Sequence, residues 1–234
     1  MVTRREVLGG LGATVFCGTG YSAPVRSTIG GFHNSFVDNV EEEPLPDGVT
    51  AVEYIQQEGN RQYIATGIVP PVGTIMRCRF QFTQTANSQF CCMGYSNPRR
   101  FGFGIESNVF KVCTATWYGV LNFKDTAWHN WLIDEPRKVA SIDGVSKTIN
   151  PHGEFIAGEI SASLGFTLFG RNEGYMSNYC NQARVASLYL GTASERLFDG
   201  IACRYEGAGY LYDRVSGQLF GNVGTGNFII GPDI

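Results

Sequence analysis

The run TIMRCRFQF, residues 74–82, constrains this chain more than any other feature. Met76, Cys78, Phe80 and Phe82 recur at every second position, with Ile75, Arg77, Arg79 and Gln81 between them. Successive side chains of a strand point to opposite faces, so this period of two predicts a β-strand buried on one side. The same period groups Leu164, Phe166 and Leu168 in SLGFTLFG, and Ala186, Leu188 and Leu190 in ARVASLYLG. Further strands are expected at 51–57, 62–67, 89–94, 100–105, 108–116, 127–133, 137–142 and 196–204. Asn97-Pro98, Asp143-Gly144, Asn150-Pro151, Glu173-Gly174 and Ser216-Gly217 mark turns between them. Outside the N-terminal segment no stretch sustains a helical period. About a dozen short strands so punctuated imply an all-β, antiparallel two-sheet sandwich.

Composition agrees. The chain has 30 Gly, 16 Phe and 11 Tyr among its 234 residues, and only 17% are charged. Aromatic-rich strands joined by many turns have this profile. A chain this long buries about 70% of the surface its unfolded form exposes, so neither a disulfide nor a metal is required for stability. The net charge is -3 and no basic run extends beyond Arg99-Arg100. A nucleic-acid binder shows a basic stripe, so nucleic acid is not an expected partner.

The first residues, MVTRREVLGGLGATVFCGTGYSAP, place a charged start before an apolar, Gly-rich run from Val7 to Phe16. The run is too short for a membrane-spanning helix and has the layout of an export signal. Thr3-Arg4-Arg5-Glu6-Val7-Leu8 is similar to the bacterial twin-arginine signal, which makes Arg4 and Arg5 its signal residues. Cys17 follows Phe16 and not a small residue, which argues against an acylated cysteine. The expected organisation is an export signal over 1–23, a polar linker over 24–44 that includes Glu41-Glu42-Glu43, and a sandwich domain over 45–234. No transmembrane segment is expected after removal of the signal, and the location implied is periplasmic, extracellular or cell-surface.

Two end motifs bring in a resemblance. LPDGVTAVEYIQQEGNRQYIATG, residues 45–67, resembles the opening of a laminin-G-like, concanavalin A-like domain of bacterial exported and phage-associated proteins. The matching positions include Leu45, Pro46, Gly48, Val52, Glu53, Tyr54, Ile55, Gln62, Tyr63, Ile64, Thr66 and Gly67. The closing stretch is similar to the end of that family at Leu211, Tyr212, Asp213, Val215, Gly217, Phe220, Gly221, Asn222, Gly224, Thr225, Gly226 and Phe228. AWHNWLIDEPRKVASIDGV is similar to its middle, a Trp-His pair followed by strands ending in Asp-Gly. The resemblance spans about 45–233 and implies a concanavalin A-like jelly-roll whose first and last strands lie close together. Family members often carry an acid where this chain has Ala65, so a ligand or calcium role of that acid would be missing here. No cofactor is expected, and nothing in the sequence supports calcium.

Catalytic patterns are scarce. Glycoside hydrolysis needs two carboxylates about 5–10 Å apart, and the Glu-x-Asp-x-x-Glu pattern of hydrolases on this fold is missing. Glu53 and Glu58, like Glu154 and Glu159, are five apart, which puts them on opposite faces of any strand, so all four read as surface or turn residues. His33 lies in the linker, His152 in a turn, and His129 alternates with Ala127 and Trp131; none has metal spacing, and His129 reads as a satisfied structural histidine. There is no Gly-x-Ser-x-Gly elbow, and GNVGTG is a turn lacking phosphate-loop order. Outside the signal, Cys78, Cys91, Cys92, Cys113, Cys180 and Cys203 form an even set, which invites disulfides. Cys78 alternates with core residues, Cys91 and Cys92 face opposite sides, and twin-arginine substrates fold in a reducing compartment. Buried free thiols are therefore favoured, with Cys92–Cys113 and Cys180–Cys203 as the pairs to check.

Aromatic residues supply the functional lead. Trp117-Tyr118 is expected at a strand end, with Asn122, Arg99 and Arg100 in nearby turns. Sugar sites stack rings on exposed aromatics and fix hydroxyls with such polar groups; half-buried rim residues would look the same. Trp128 and Trp131 are expected to pack in or against a sheet. The function expected is a non-catalytic binding or adhesion module that recognises a glycan. A cell-surface protein partner, or a glycoside hydrolase or lyase with an atypical site, are the alternatives.

Overall fold

The computed structural model describes residues 44–59, 61–85, 89–96, 99–106, 109–114, 116–121, 125–148, 164–172, 174, 176–177, 180 and 182–234. Every regular element among them is a β-strand. In chain order these are β1 (Thr50–Ala51), β2 (Ile55–Gln56), β3 (Ile64–Ala65), β4 (Ile75–Phe82), β5 (Gln89–Ser96) and β6 (Arg99–Glu106). Then come β7 (Val109–Thr114), β8 (Thr116–Leu121), β9 (Trp128–Asp134), β10 (Val139–Ile142), β11 (Val145–Thr148) and β12 (Thr167–Leu168). The remainder are β13 (Arg171–Asn172), β14 (Met176–Ser177), β15 (Ala183–Gly191), β16 (Arg196–Tyr205), β17 (Ala208–Asp213), β18 (Gln218–Phe220) and β19 (Ile229–Ile230).

The larger sheet runs β11-β10-β9-β4-β15-β16-β17-β18, with β1 on β16, and β2 between β15 and β19. A second sheet runs β14-β13-β5-β6-β7-β8, and β12 pairs with β3. All pairs are antiparallel except β13 with β5, which is parallel. β4 alternates half-buried and buried along its whole length, as its period of two predicts. The buried face of the large sheet meets the second sheet through aromatic rings. Trp131 of β9 stacks on Phe103 of β6 at 4.6 Å and meets Phe110 of β7 edge-on at 4.9 Å. Phe80 of β4 meets Phe103 at 5.2 Å, and Phe82 lies 6.1 Å from Phe110.

The opening and closing motifs are neighbours, as the resemblance implies. Thr50 and Ala51 pair with β16, whereas Ile55 and Gln56 pair with both β15 and β19. The expected strand 51–57 is therefore broken at Val52–Tyr54, where the chain passes from the edge of β16 to that of β15. Val52 bridges Asp233, the Glu53 amide donates to Pro232 O, and the Gly231 amide donates to Tyr54 O. Farther on, Val223 and Thr225 amides donate to Tyr63 O and Arg61 O, and Asn222 Oδ1 accepts the Tyr63 amide.

Several expectations need correction. Residue 186 is an extra residue in β15: Val185 pairs with Phe80 and Ser187 with Arg79, so the register shifts there. The bulge inverts the parity, and the buried set is Ala183, Val185, Leu188 and Leu190, while Ala186 is only half-buried. In SLGFTLFG only Thr167–Leu168 is strand; Phe169 takes a positive φ of 65° and joins the core beside Leu168. Trp117 and Tyr118 lie inside β8, opposite Cys113 and Val112, and not at a strand end. Arg99 and Arg100 open β6 opposite Ser96 and Tyr95 and are not turn residues. The Asp143-Gly144 turn joins β10 to β11 with φ of 52° and 77°.

Cys78 and Cys203 are buried free thiols, so the Cys180–Cys203 pair does not form. Burial alone pushes the Cys78 thiol far above its usual range; for Cys203 burial raises it to about 11 against a backbone hydrogen bond at Tyr212. Cys180 is disulfide-bonded, which corrects the free-thiol expectation for that residue; the side chains of Cys91, Cys92 and Cys113 lie outside the described set. Cys180 sits in an irregular segment, its amide donating to Phe169 O, and not on an alternating strand face. In a native, unreduced sample, peptide mapping after alkylation should leave Cys78, Cys180 and Cys203 unlabelled. Denaturant alone should expose Cys78 and Cys203, and Cys180 should label only after reduction.

Trp131 is fully buried, and its indole N–H finds no acceptor among the described residues. Trp131→Ala should lose about 3–5 kcal/mol in urea unfolding. Trp131→Phe, which removes the unpaired N–H while keeping a ring in place, should lose clearly less.

Candidate functional site

The alternation that buries Phe80 and Phe82 points Arg77, Arg79 and Gln81 to the opposite face of the large sheet. Trp128 and Trp131 are three residues apart in one strand, so they too must part: Trp131 enters the core and Trp128 remains half-buried on the outer face. Register then aligns residues that are distant in sequence. Trp128 lies opposite Gln81, Gln81 opposite Arg184, and Arg184 opposite Gln56. Both flanking amides hold the Arg184 guanidinium: Nε donates to Gln56 Oε1 at 2.5 Å and Nη1 to Gln81 Oε1 at 3.2 Å. Its Cζ lies 4.4 Å from the centroid of the Tyr54 ring. The Tyr54 ring is 6.1 Å from that of Trp128, and Arg79 Cζ lies 5.5 Å from the Trp128 ring. Arg79 Nη1 also donates to Asn130 Oδ1 at 3.3 Å. Beside this group Arg77 lies 5.4 Å from the Tyr189 ring.

The result is a chain of four half-buried side chains, Arg79, Trp128, Tyr54 and Arg184. Gly231 makes room for it: a Cβ there would come within 2.9 Å of the Tyr54 ring. Cation–π contact and amide hydrogen bonds fix both guanidiniums, and all four side chains keep part of their surface toward solvent. Such a face can stack an apolar ring surface and donate hydrogen bonds to an acceptor beside it.

The outer-face cluster is not the one singled out from sequence. Trp117 and Tyr118 lie on β8 and Arg99 and Arg100 on β6, but their side chains are outside the described set, and Asn122 is outside the described residues. Tyr54, Trp128, Arg79 and Arg184 were missed as site residues. The signal for two of them was present: Arg79 alternates with core residues, and Trp128 has opposite parity to Trp131. Nothing local joins Tyr54 or Arg184 to them.

A polar cleft of ≈ 370 Å³ lies between the end motifs, lined by Glu58, Gly59, Arg61, Gln62, Thr225 and Gly226. Its central amide already serves the fold. Gln62 Oε1 accepts the Glu58 and Gly59 amides at 2.6 and 3.3 Å, and Nε2 donates to Asn227 O. Glu53 and Glu58 are exposed, as expected of surface residues; Glu154, Glu159, His33 and His152 lie outside the described residues. Ala65 is exposed on β3 opposite Thr167. Among the described residues no group of three or more His, Cys, Asp or Glu is placed to hold a metal ion. No described helix is long and apolar enough to cross a membrane.

His129 is satisfied, as its sequence position suggested. Its Nδ1 lies 2.6 Å from Asp143 Oδ2 and its Nε2 2.7 Å from Asp125 Oδ1. Asp143 Oδ1 also accepts the Asn130 amide at 2.9 Å, tying the β10–β11 turn to β9. Partial burial alone would raise the Asp125 pKa, but the Ala127 amide and the His129 hydrogen bond and charge outweigh it, and the net shift is downward. A carboxylate with a lowered folded pKa stabilises the fold above its unfolded value of about 3.9 and loses that contribution as pH falls through the folded value. Asp125→Asn should therefore unfold at lower denaturant than wild type at neutral pH, and the gap between the two should close as acidification protonates Asp125 in the folded state.

No family model matches the chain, and no curated protein matches it.

Proposed function

We propose that this chain is a non-catalytic binding or adhesion module of an exported bacterial protein, built on a concanavalin A-like jelly-roll sandwich, and that it recognises a glycan. The observation that carries the reading is the Tyr54–Trp128 pair. Two half-buried rings lie 6.1 Å apart on an outer sheet face, bordered by the side chains of Gln56, Gln81, Asn130, Arg79 and Arg184. Rings that supply apolar area beside directional polar groups suit the two faces of a pyranose, one rich in C–H and one in hydroxyls. The end motifs support the jelly-roll assignment, since they pair with each other through β2 and β19. Export is supported by the Arg4-Arg5 segment, and the Cys180 disulfide fits the oxidising compartment that a periplasmic or extracellular protein meets.

A glycan-array assay of the full chain, with and without calcium, tests the proposal. Binding should weaken roughly tenfold or more in Tyr54→Ala and Trp128→Ala, the cost of truncating a central aromatic contact. Binding lost instead in Trp117→Ala and Tyr118→Ala would move the site to β8. A blank array from correctly folded protein would replace the glycan with a protein partner.

A further inference from the structure

Arg79 and Arg184 differ from the four arginines whose ion pairs are described. Arg137, Arg196, Arg204 and Arg214 each contact a carboxylate, at 3.2, 3.2, 2.7 and 2.9 Å, on Asp134, Asp199, Asp233 and Asp199. Arg79 and Arg184 bond only to the amide oxygens of Asn130, Gln56 and Gln81. Those oxygens bear no formal charge. Two positive charges thus stand without a carboxylate among the described residues, on a chain whose net charge is -3. Each guanidinium has five N–H donors; Arg184 uses two of its donors on the sheet face and Arg79 one.

Their placement is also defined. Arg79 lies opposite Ser187 and Arg184 opposite Gln81, so the two are diagonal neighbours across β4 and β15, with the bulge at Ala186 between their rows. Tyr54 and Trp128 hold them by ring stacking. β4 is paired on both sides, by β9 and β15, and β15 is covered by β4 on one edge and by β2 and β16 on the other. No backbone edge is open there to a peptide strand, so a ligand is met by side chains alone.

We infer that this face takes an anionic saccharide, its carboxylate or sulfate group held by Arg79 and Arg184 and its sugar ring lying against Tyr54 and Trp128. The inference rests on the glycan reading and narrows it to acidic sugars. A fixed guanidinium fork matches the planar pair of carboxylate oxygens and also binds sulfate; prior fixation by stacking reduces the entropy lost on binding.

Calorimetric titration of the full chain tests it with four probes: tetragalacturonate, the same oligosaccharide as its full methyl ester, a sulfated galactan oligosaccharide, and polyglutamate. Tetragalacturonate or the sulfated probe should bind, and whichever does so names the anionic group. Esterification should weaken a carboxylate-dependent ligand roughly ten- to hundredfold, the loss expected for a charge-assisted contact. Arg184→Gln and Arg79→Gln should each weaken the acidic ligand over the same range, with Arg184→Lys intermediate; thermal unfolding of each variant checks that it is folded. Equal binding of acid and ester, still sensitive to Trp128→Ala, would overturn the acidic preference and leave the glycan reading intact. Polyglutamate binding as tightly as the acidic sugars would overturn both, in favour of an acidic protein partner. No binding of any probe at millimolar concentration would overturn the inference, while the array decides the wider reading on its own.

Discussion

The contact of Trp131 with Phe103 and Phe110 is the interaction on which the remainder of the domain depends. These rings come from different sheets and are wholly buried. Phe80 and Phe82 extend the layer along β4, and Phe169 carries it toward Phe228 near the C-terminus. Offset and edge-on aromatic pairs add directional preference to a large apolar area. They therefore set which face of β4 and β9 turns inward as well as how strongly the sheets adhere.

That choice also makes the outer face. In a strand, burying one parity exposes the other, so the packing of Trp131, Phe80 and Phe82 is the same event as the presentation of Trp128, Arg79 and Gln81. A slip of one residue in β4 would bury Arg79 and expose Phe80. The bulge in β15 performs a local version of this exchange. By admitting Ala186 as an extra residue, it keeps Arg184 outward beside Gln81 while Leu188 and Leu190 stay inside.

The chain ends contribute differently. The break between β1 and β2 carries Tyr54 over the edge of β15, and Gly231 supplies the space its ring occupies. The clasp among Gln62, Asn222, Arg61 and Tyr63 holds the two ends side by side. Asp125 and Asp143 bracket His129, whose ring lies on the inner face of β9 against Phe110 and Trp131. On the outer face itself the two guanidiniums of the cluster are held by amide oxygens and aromatic rings and by no carboxylate among the described residues.

Alternation and punctuation determined the all-β class, the inward set Met76, Cys78, Phe80 and Phe82, and the turn at Asp143-Gly144, because strand parity and positive-φ turns are properties of a few adjacent residues. The end motifs also announced that the two ends of the domain would meet. The bulge at Ala186, the placement of Trp117-Tyr118 within β8 and the disulfide at Cys180 were not legible, since each depends on a partner strand or a partner cysteine. The cluster of Tyr54, Arg79, Trp128 and Arg184 was decided by tertiary structure alone. Its members come from segments up to 130 residues apart, and only the register of β2, β15, β4 and β9 sets them in adjoining rows. Sequence specified which side each residue would face; pairing between distant strands specified which of them would touch.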